Sequence, residues 1–186
     1  MKAVCIVGSP RKNGSTALIA ETFAKAFEEK FYDVRRFFLG ESDIKYCMGC
    51  KKCYENGRCI QKDDVEEIVL SILDADYVVV VTPSYWGDVT GQLKVLFDRS
   101  TPFCNTNPSR TVEYTYAKGI AVSVRAGTHK EENEKILDTI AHYFGHMEID
   151  TIVRLSICGV DSVEDLISKH RDILEGIKGL IPDPDM

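Results

Sequence analysis

A chain of 186 residues is long enough to bury a substantial core in one domain, and its 44% hydrophobic and 28% charged residues are ordinary for a globular protein. A net charge of −6 argues against a nucleic-acid partner, which would need a basic face. No apolar run approaches the roughly 20 residues that span a bilayer, and Met1-Lys2 leads directly into Ala3-Val-Cys-Ile-Val7 without a signal-peptide layout. The expectation is therefore no membrane partner and a cytoplasmic, thiol-reducing location.

Taken in chain order, apolar runs of strand length are Ala3–Val7, Val34–Leu39, Tyr77–Thr82, Gly119–Val124 and Ile149–Ile157. Between and after them lie amphipathic stretches of helix length: Thr16–Lys30, Val65–Leu73, Gln92–Ser100, Glu131–Phe144 and Val163–Lys178. In the second helix Val65, Ile68, Val69, Ile72 and Leu73 follow the 3.6-residue period, with Asp64 and Glu67 spaced as a capping box. Ser162 is placed to cap the fifth helix, where Val163, Leu166, Ile167, Leu174 and Ile177 share a face. Val78-Val-Val-Val81 is apolar throughout, as in a strand covered on both faces. The alternation gives an α/β fold: a doubly wound, five-stranded parallel sheet of flavodoxin-like order 2-1-3-4-5, in a single domain over residues 1–186. Two long segments interrupt it. Gly40–Asp63 carries a Cys-rich insertion at about residues 45–62, and Thr101–Lys118 is rich in Pro, Asn and Tyr; connections of that length are usually functional.

The first strand runs into Gly8-Ser-Pro-Arg-Lys-Asn-Gly-Ser-Thr16 and then a helix. A helix N-terminus offers free N–H groups and a positive dipole end, which together bind phosphate. Ser9, Ser15 and Thr16 add hydroxyls, Arg11 a charged fork, and Gly14 close approach of the backbone. The spacing is neither that of a Walker A loop nor G-x-G-x-x-G, so a monophosphate such as that of FMN fits better than a diphosphate. An ordinary polar strand-to-helix turn is the plainer alternative. Thr82-Pro-Ser-Tyr-Trp-Gly-Asp-Val-Thr-Gly91 leaves the third strand on the same sheet edge, where doubly wound folds bind ligands. Tyr85 and Trp86 are flat enough to stack on a ring, or serve as lids on the core.

Cys47-x2-Cys50-x2-Cys53-x5-Cys59 is the most informative pattern. Cysteines three apart in a Gly-punctuated loop can wrap an iron–sulfur cube, although the fourth is farther on than in bacterial ferredoxins and no Pro follows it. Zinc sites of four cysteines usually pair two well-separated C-x2-C knuckles; empty thiols are the third possibility. Lys45, Lys51, Lys52, Arg58 and Lys62 make the segment basic in an acidic protein, either a field that would steer an acidic donor or simply a solvated face. Cys5 reads as a core hydrophobe. Lys94, Asp98 and Arg99 read as a surface charge set.

Gly8–Thr16, Thr82-Pro-Ser-Tyr-Trp-Gly87 and Gln92-Leu-Lys-Val-Leu-Phe-Asp-Arg99 together resemble the NADPH-dependent FMN reductase family over at least residues 2–125. The resemblance implies FMN phosphate on Ser9, Arg11, Asn13, Ser15 and Thr16. It implies the isoalloxazine ring against Pro83, Ser84, Tyr85, Trp86 and Gly87, with Arg125-Ala-Gly127 as a third flavin loop. The cysteine spacing is similar to that of the family's iron–sulfur flavoprotein branch. That branch implies a [4Fe–4S] cluster on Cys47, Cys50, Cys53 and Cys59, electron transfer between cluster and FMN, a homodimer or homotetramer, and ferredoxin or a similar donor. The rival expectations are a cluster-free NAD(P)H-dependent FMN or quinone reductase and a simple flavin carrier.

Overall fold

The structure is a computed structural model describing residues 1–114 and 116–183. Five parallel strands, β1 (Lys2–Val7), β2 (Asp33–Phe38), β3 (Tyr77–Pro83), β4 (Lys118–Val124) and β5 (Asp150–Ile157), lie in the order β2-β1-β3-β4-β5. The helices are α1 (Ser15–Glu28), α2 (Cys53–Asn56), α3 (Val65–Leu73), α4 (Gly91–Arg99), α5 (Lys130–His146), α6 (Val163–Lys169) and α7 (Arg171–Gly176). Alternation along each strand divides the core. Val4, Ile6, Val78 and Val80 meet α3, α4 and α5 on one face; Ala3, Cys5, Val79 and Val81 meet α1 and α6 on the other. Central β3 is buried at every position, which accounts for its unbroken apolar run. Edge strand β2 alternates exposed with half-buried residues over Asp33–Arg36 and stays half-buried to Phe38, and its Arg36 ties back to Glu21 and Glu28 of α1.

Two local expectations need correction. The capping box is not formed: Asp64 Oδ2 accepts instead from the Asp43 N–H at 2.7 Å, and Glu67 pairs with Arg35. The cysteine segment's start is thereby tied to the start of α3. The last helix is not continuous to Lys178. His170 leaves the helical region at φ −134° and its ring bonds the Cys158 carbonyl at 2.9 Å, so the chain restarts as α7 and then a 3₁₀ turn, Ile177–Leu180. Leu166 and Ile177 are buried, whereas Ile167, expected on the same face, is 42% exposed. Ser162 does cap α6, accepting from the Asp165 N–H at 3.1 Å.

Candidate functional site

β1 and β3 end side by side, Val7 opposite Val81, and the chain leaves β1 with the Gly8 N–H donating to the Val81 carbonyl at 2.8 Å. Thr90 fixes Gly8 from the other side: its hydroxyl donates to the Gly8 carbonyl and accepts from the Leu93 N–H at 3.4 Å, capping α4. Ser9 is buried and its Oγ accepts from the Arg11 N–H at 3.1 Å, closing the turn. Gly14 is the extended N-cap of α1 (φ −91°, ψ 175°) and has no side chain to occupy the helix's first N–H groups. Those donors and the dipole end are left for an anion. Thr16 lies buried beside them, while Arg11 and Asn13 are exposed. The Ser15 hydroxyl donates to the Ser162 carbonyl at 3.0 Å and links α1 to α6. Gly40, after β2, was not singled out from the sequence; a Cβ there would stand 2.8 Å from Pro10 Cα, so the phosphate loop rests on a residue with no room for a side chain.

Beyond Pro83, the Ser84 N–H donates to the Val124 carbonyl at 2.8 Å, holding the aromatic segment to the end of β4. Tyr85 and Asp88 then exchange backbone hydrogen bonds of 3.0 and 3.1 Å around Trp86 (φ +55°) and Gly87 (φ +73°). Positive φ at both central residues makes this a type I′ turn. A bulky residue rarely adopts that conformation, and it displays the Trp86 ring entirely to the outside. Ser84, Trp86, Gly87, Arg125, Gly127 and Glu132 line a cavity of about 600 Å³. Arg125 donates to the His129 carbonyl at 2.7 Å and pairs with Glu132 at 2.9 Å, but its buried Nε has no partner among the described residues. Its guanidinium folds over Gly127, where a Cβ would approach to 2.7 Å. The expected phosphate, ring and third-loop residues are thus brought to one edge of the sheet.

Cys47, Cys50, Cys53 and Cys59 line one small cavity, about 30 Å³, walled by Arg99, Thr101 and Pro102. No group of three or more His, Cys, Asp or Glu side chains among the described residues is arranged to hold a single ion. Burial, then the neighbouring Cys59, Cys47 and Cys50, raises the Cys53 thiol above its ordinary pKa. The loop is docked on the Thr101–Lys118 connection. Asn107 donates to the Cys53 carbonyl at 3.1 Å, Ser109 to the Tyr54 carbonyl at 2.7 Å, and Gly57 (φ +71°) packs against Ser109. Cys5 is a core residue as expected, its thiol pushed up to about 12 by burial.

The sequence reading of Arg99 as surface charge is wrong. Arg99 and Asp63 form a bidentate pair at 2.7 and 2.9 Å with side chains only 2% and 1% exposed, and Arg99 also donates to the Lys45 carbonyl at 2.6 Å. Burial pushes the Asp63 carboxyl up, but the Arg99 and Lys45 N–H hydrogen bonds and the guanidinium charge together hold it below the usual carboxylate range. An Arg at the end of an amphipathic helix gives no sign of burial until its partner, 36 positions away, is known.

A family model described as NADPH-dependent FMN reductase matches residues 1–153. An iron–sulfur flavoprotein of Archaeoglobus fulgidus is 34% identical over 132 residues, covering 71% of this chain and 58% of that protein. One of Methanocaldococcus jannaschii is 36% identical over 145 residues, covering 77% and 71%. The chain therefore spans little more than half the length of the first of these relatives. An NAD(P)H:quinone oxidoreductase of Methanothermobacter marburgensis has the same fold, with a TM-score of 0.72 at 17% identity over 96% of each chain. The family match takes in the phosphate loop, the aromatic turn and the four clustered cysteines, and this chain belongs to the NADPH-dependent FMN reductase family.

Proposed function

We propose that this chain is an FMN-dependent oxidoreductase in which electrons pass between a [4Fe–4S] cluster on Cys47, Cys50, Cys53 and Cys59 and FMN at the carboxyl ends of β1, β3 and β4. The carrying observation is that the four cysteines share one cavity against the last turn of α4, whose first turn abuts the phosphate loop through Thr90. Nine helical residues separate the two ends by about 12 Å. A single zinc ion needs its sulfurs within about 2.3 Å of one point, whereas a cubane takes one thiolate at each iron corner. Thiols lining a common space suit the second better.

The flavin edge fits FMN on its own observations. The side-chain-free N-cap of α1 suits one terminal phosphate, with Ser9, Arg11, Asn13 and Thr16 around it and Ser15 fixing the helix. The orphaned Arg125 Nε and the cavity beside Gly127 suit the polar edge of a ring, with Pro83, Ser84, Tyr85, Trp86 and Gly87 on its other side. When bound, FMN supplies hydride and electron chemistry and the cluster single-electron transfer; the chain supplies position and electrostatics. Relatives named iron–sulfur flavoproteins support the same reading.

Replacing any one of the four cysteines by Ser should lower iron and sulfide together while FMN stays bound. Stoichiometric zinc without sulfide would contradict the cluster. Flavin released by denaturation should chromatograph as FMN, and a majority of FAD would contradict the phosphate-loop assignment. A cluster-free NAD(P)H-dependent FMN or quinone reductase is the second reading, favoured by the family's description and by the open face of Trp86.

A further inference from the structure

Resting on the cluster reading, we propose that Arg99 is a positioning residue for the cysteine site, held by Asp63 so that its Nε–H is a fixed hydrogen-bond donor to the sulfur of Cys59. Arg99 stands in the wall of the cavity that all four cysteines line. Nη1 donates to the Lys45 carbonyl and to one Asp63 oxygen, and Nη2 donates to the other Asp63 oxygen. Nε is buried without a partner among the described residues, on a side chain only 2% exposed. A buried N–H left unpaired is costly, and such atoms in native proteins call for an explanation. Cys59 lines the same cavity as Arg99 and lies four residues before Asp63, the residue that holds the guanidinium. A thiolate sulfur is a better acceptor than a thiol, so the bond strengthens when Cys59 is a ligand.

Asp63 neutralises most of the guanidinium's charge, so the influence on the site is short-range and directional. Hydrogen bonds to cluster sulfurs are among the factors that set reduction potential, and partners one shell beyond the ligands fix their geometry. A donor aimed at Cys59 stabilises the more negative, reduced state and raises the potential.

Two variants keep both charges and remove the alignment. Arg99→Lys has no Nε–H at that place, and Asp63→Glu displaces the guanidinium by a methylene. The purified, FMN-loaded protein and each variant would be assayed for iron, sulfide and FMN, and titrated anaerobically with the cluster followed by electron paramagnetic resonance. Both variants should keep FMN and iron but show a midpoint potential below that of the parent. If one fails to fold, the other decides. A parent and variants with equal potentials, whatever their melting temperatures, overturn the role of Arg99 and leave the cluster reading intact. A parent with FMN but neither iron nor sulfide overturns the cluster reading, and this inference with it.

Discussion

Arg11 is exposed and has no ion-pair partner among the described residues, whereas Lys12 beside it pairs with Glu41. A charge-assisted hydrogen bond to phosphate contributes on the order of 1.5–3 kcal/mol. Arg11→Ala should therefore weaken FMN binding roughly ten- to a hundred-fold in a flavin-fluorescence titration, with the melting temperature of the apoprotein unmoved. Trp86 makes the opposite bargain: its left-handed backbone is strained, and its ring covers nothing in the chain. Trp86→Gly should leave apoprotein stability within about 1 kcal/mol, since relief of strain offsets the freer unfolded chain. FMN retention should fall. An equal loss of stability and flavin binding would show that Trp86 is structural. At this scale the sequence revealed residue types but not their engagements. Ser15 was legible as a hydroxyl in a phosphate loop, but its bond to Ser162 joins positions 147 apart.

The cysteine loop has no core of its own; it is held by Asp63 on Arg99, by Asn107 and Ser109, and by the fit of Gly57. A Cβ at Gly57 would lie 2.1 Å from the Ser109 carbonyl oxygen, at φ +71°. Gly57→Ala should undock the loop, lowering iron and sulfide with FMN retained. Removing one partner of a buried ion pair typically costs about 3–5 kcal/mol, so Asp63→Ala should lower the urea midpoint strongly. Because the folded Asp63 carboxyl is held below its ordinary value, its contribution is fully present above that value, roughly pH 3.9, and is lost as pH falls through the folded value. Asp63→Asn should flatten the fall in urea midpoint within that acid window. The elements themselves were largely legible, because strand and helix periods differ. The capping box and the continuous last helix were misread, since Asp64 and His170 each found a tertiary partner that local sequence does not display.

Across the whole molecule, the strand order and the gathering of loops at one sheet edge follow from alternation in sequence; the partners do not. Three of the five cations expected to steer an acidic ferredoxin-like donor have local carboxylates: Lys45 with Asp43, Lys52 with Glu55 and Lys62 with Glu66. Lys51 and Arg58 have none among the described residues. Reduction of the FMN by ferredoxin in stopped flow should slow with salt, as the screening length falls from roughly 10 Å at 0.1 M to 3 Å at 1 M. Lys51→Glu with Arg58→Glu should slow it more than Lys52→Glu does. Fast, salt-insensitive reduction by NADPH, unchanged without the cysteines, would favour the cluster-free reductase. Tyr46, Met48, Ile60 and Trp86 are large, apolar and exposed, which supports a homodimer or homotetramer; light scattering of the purified protein tests it.

The most direct measurement is the iron, acid-labile sulfide, zinc and flavin content of anaerobically purified protein, read with its absorbance spectrum. The expected result is FMN accompanied by about four iron and four sulfide, with a broad shoulder near ~400 nm that bleaches on reduction. FMN with bound zinc, or FMN with flavin bands alone and no iron, would contradict the account.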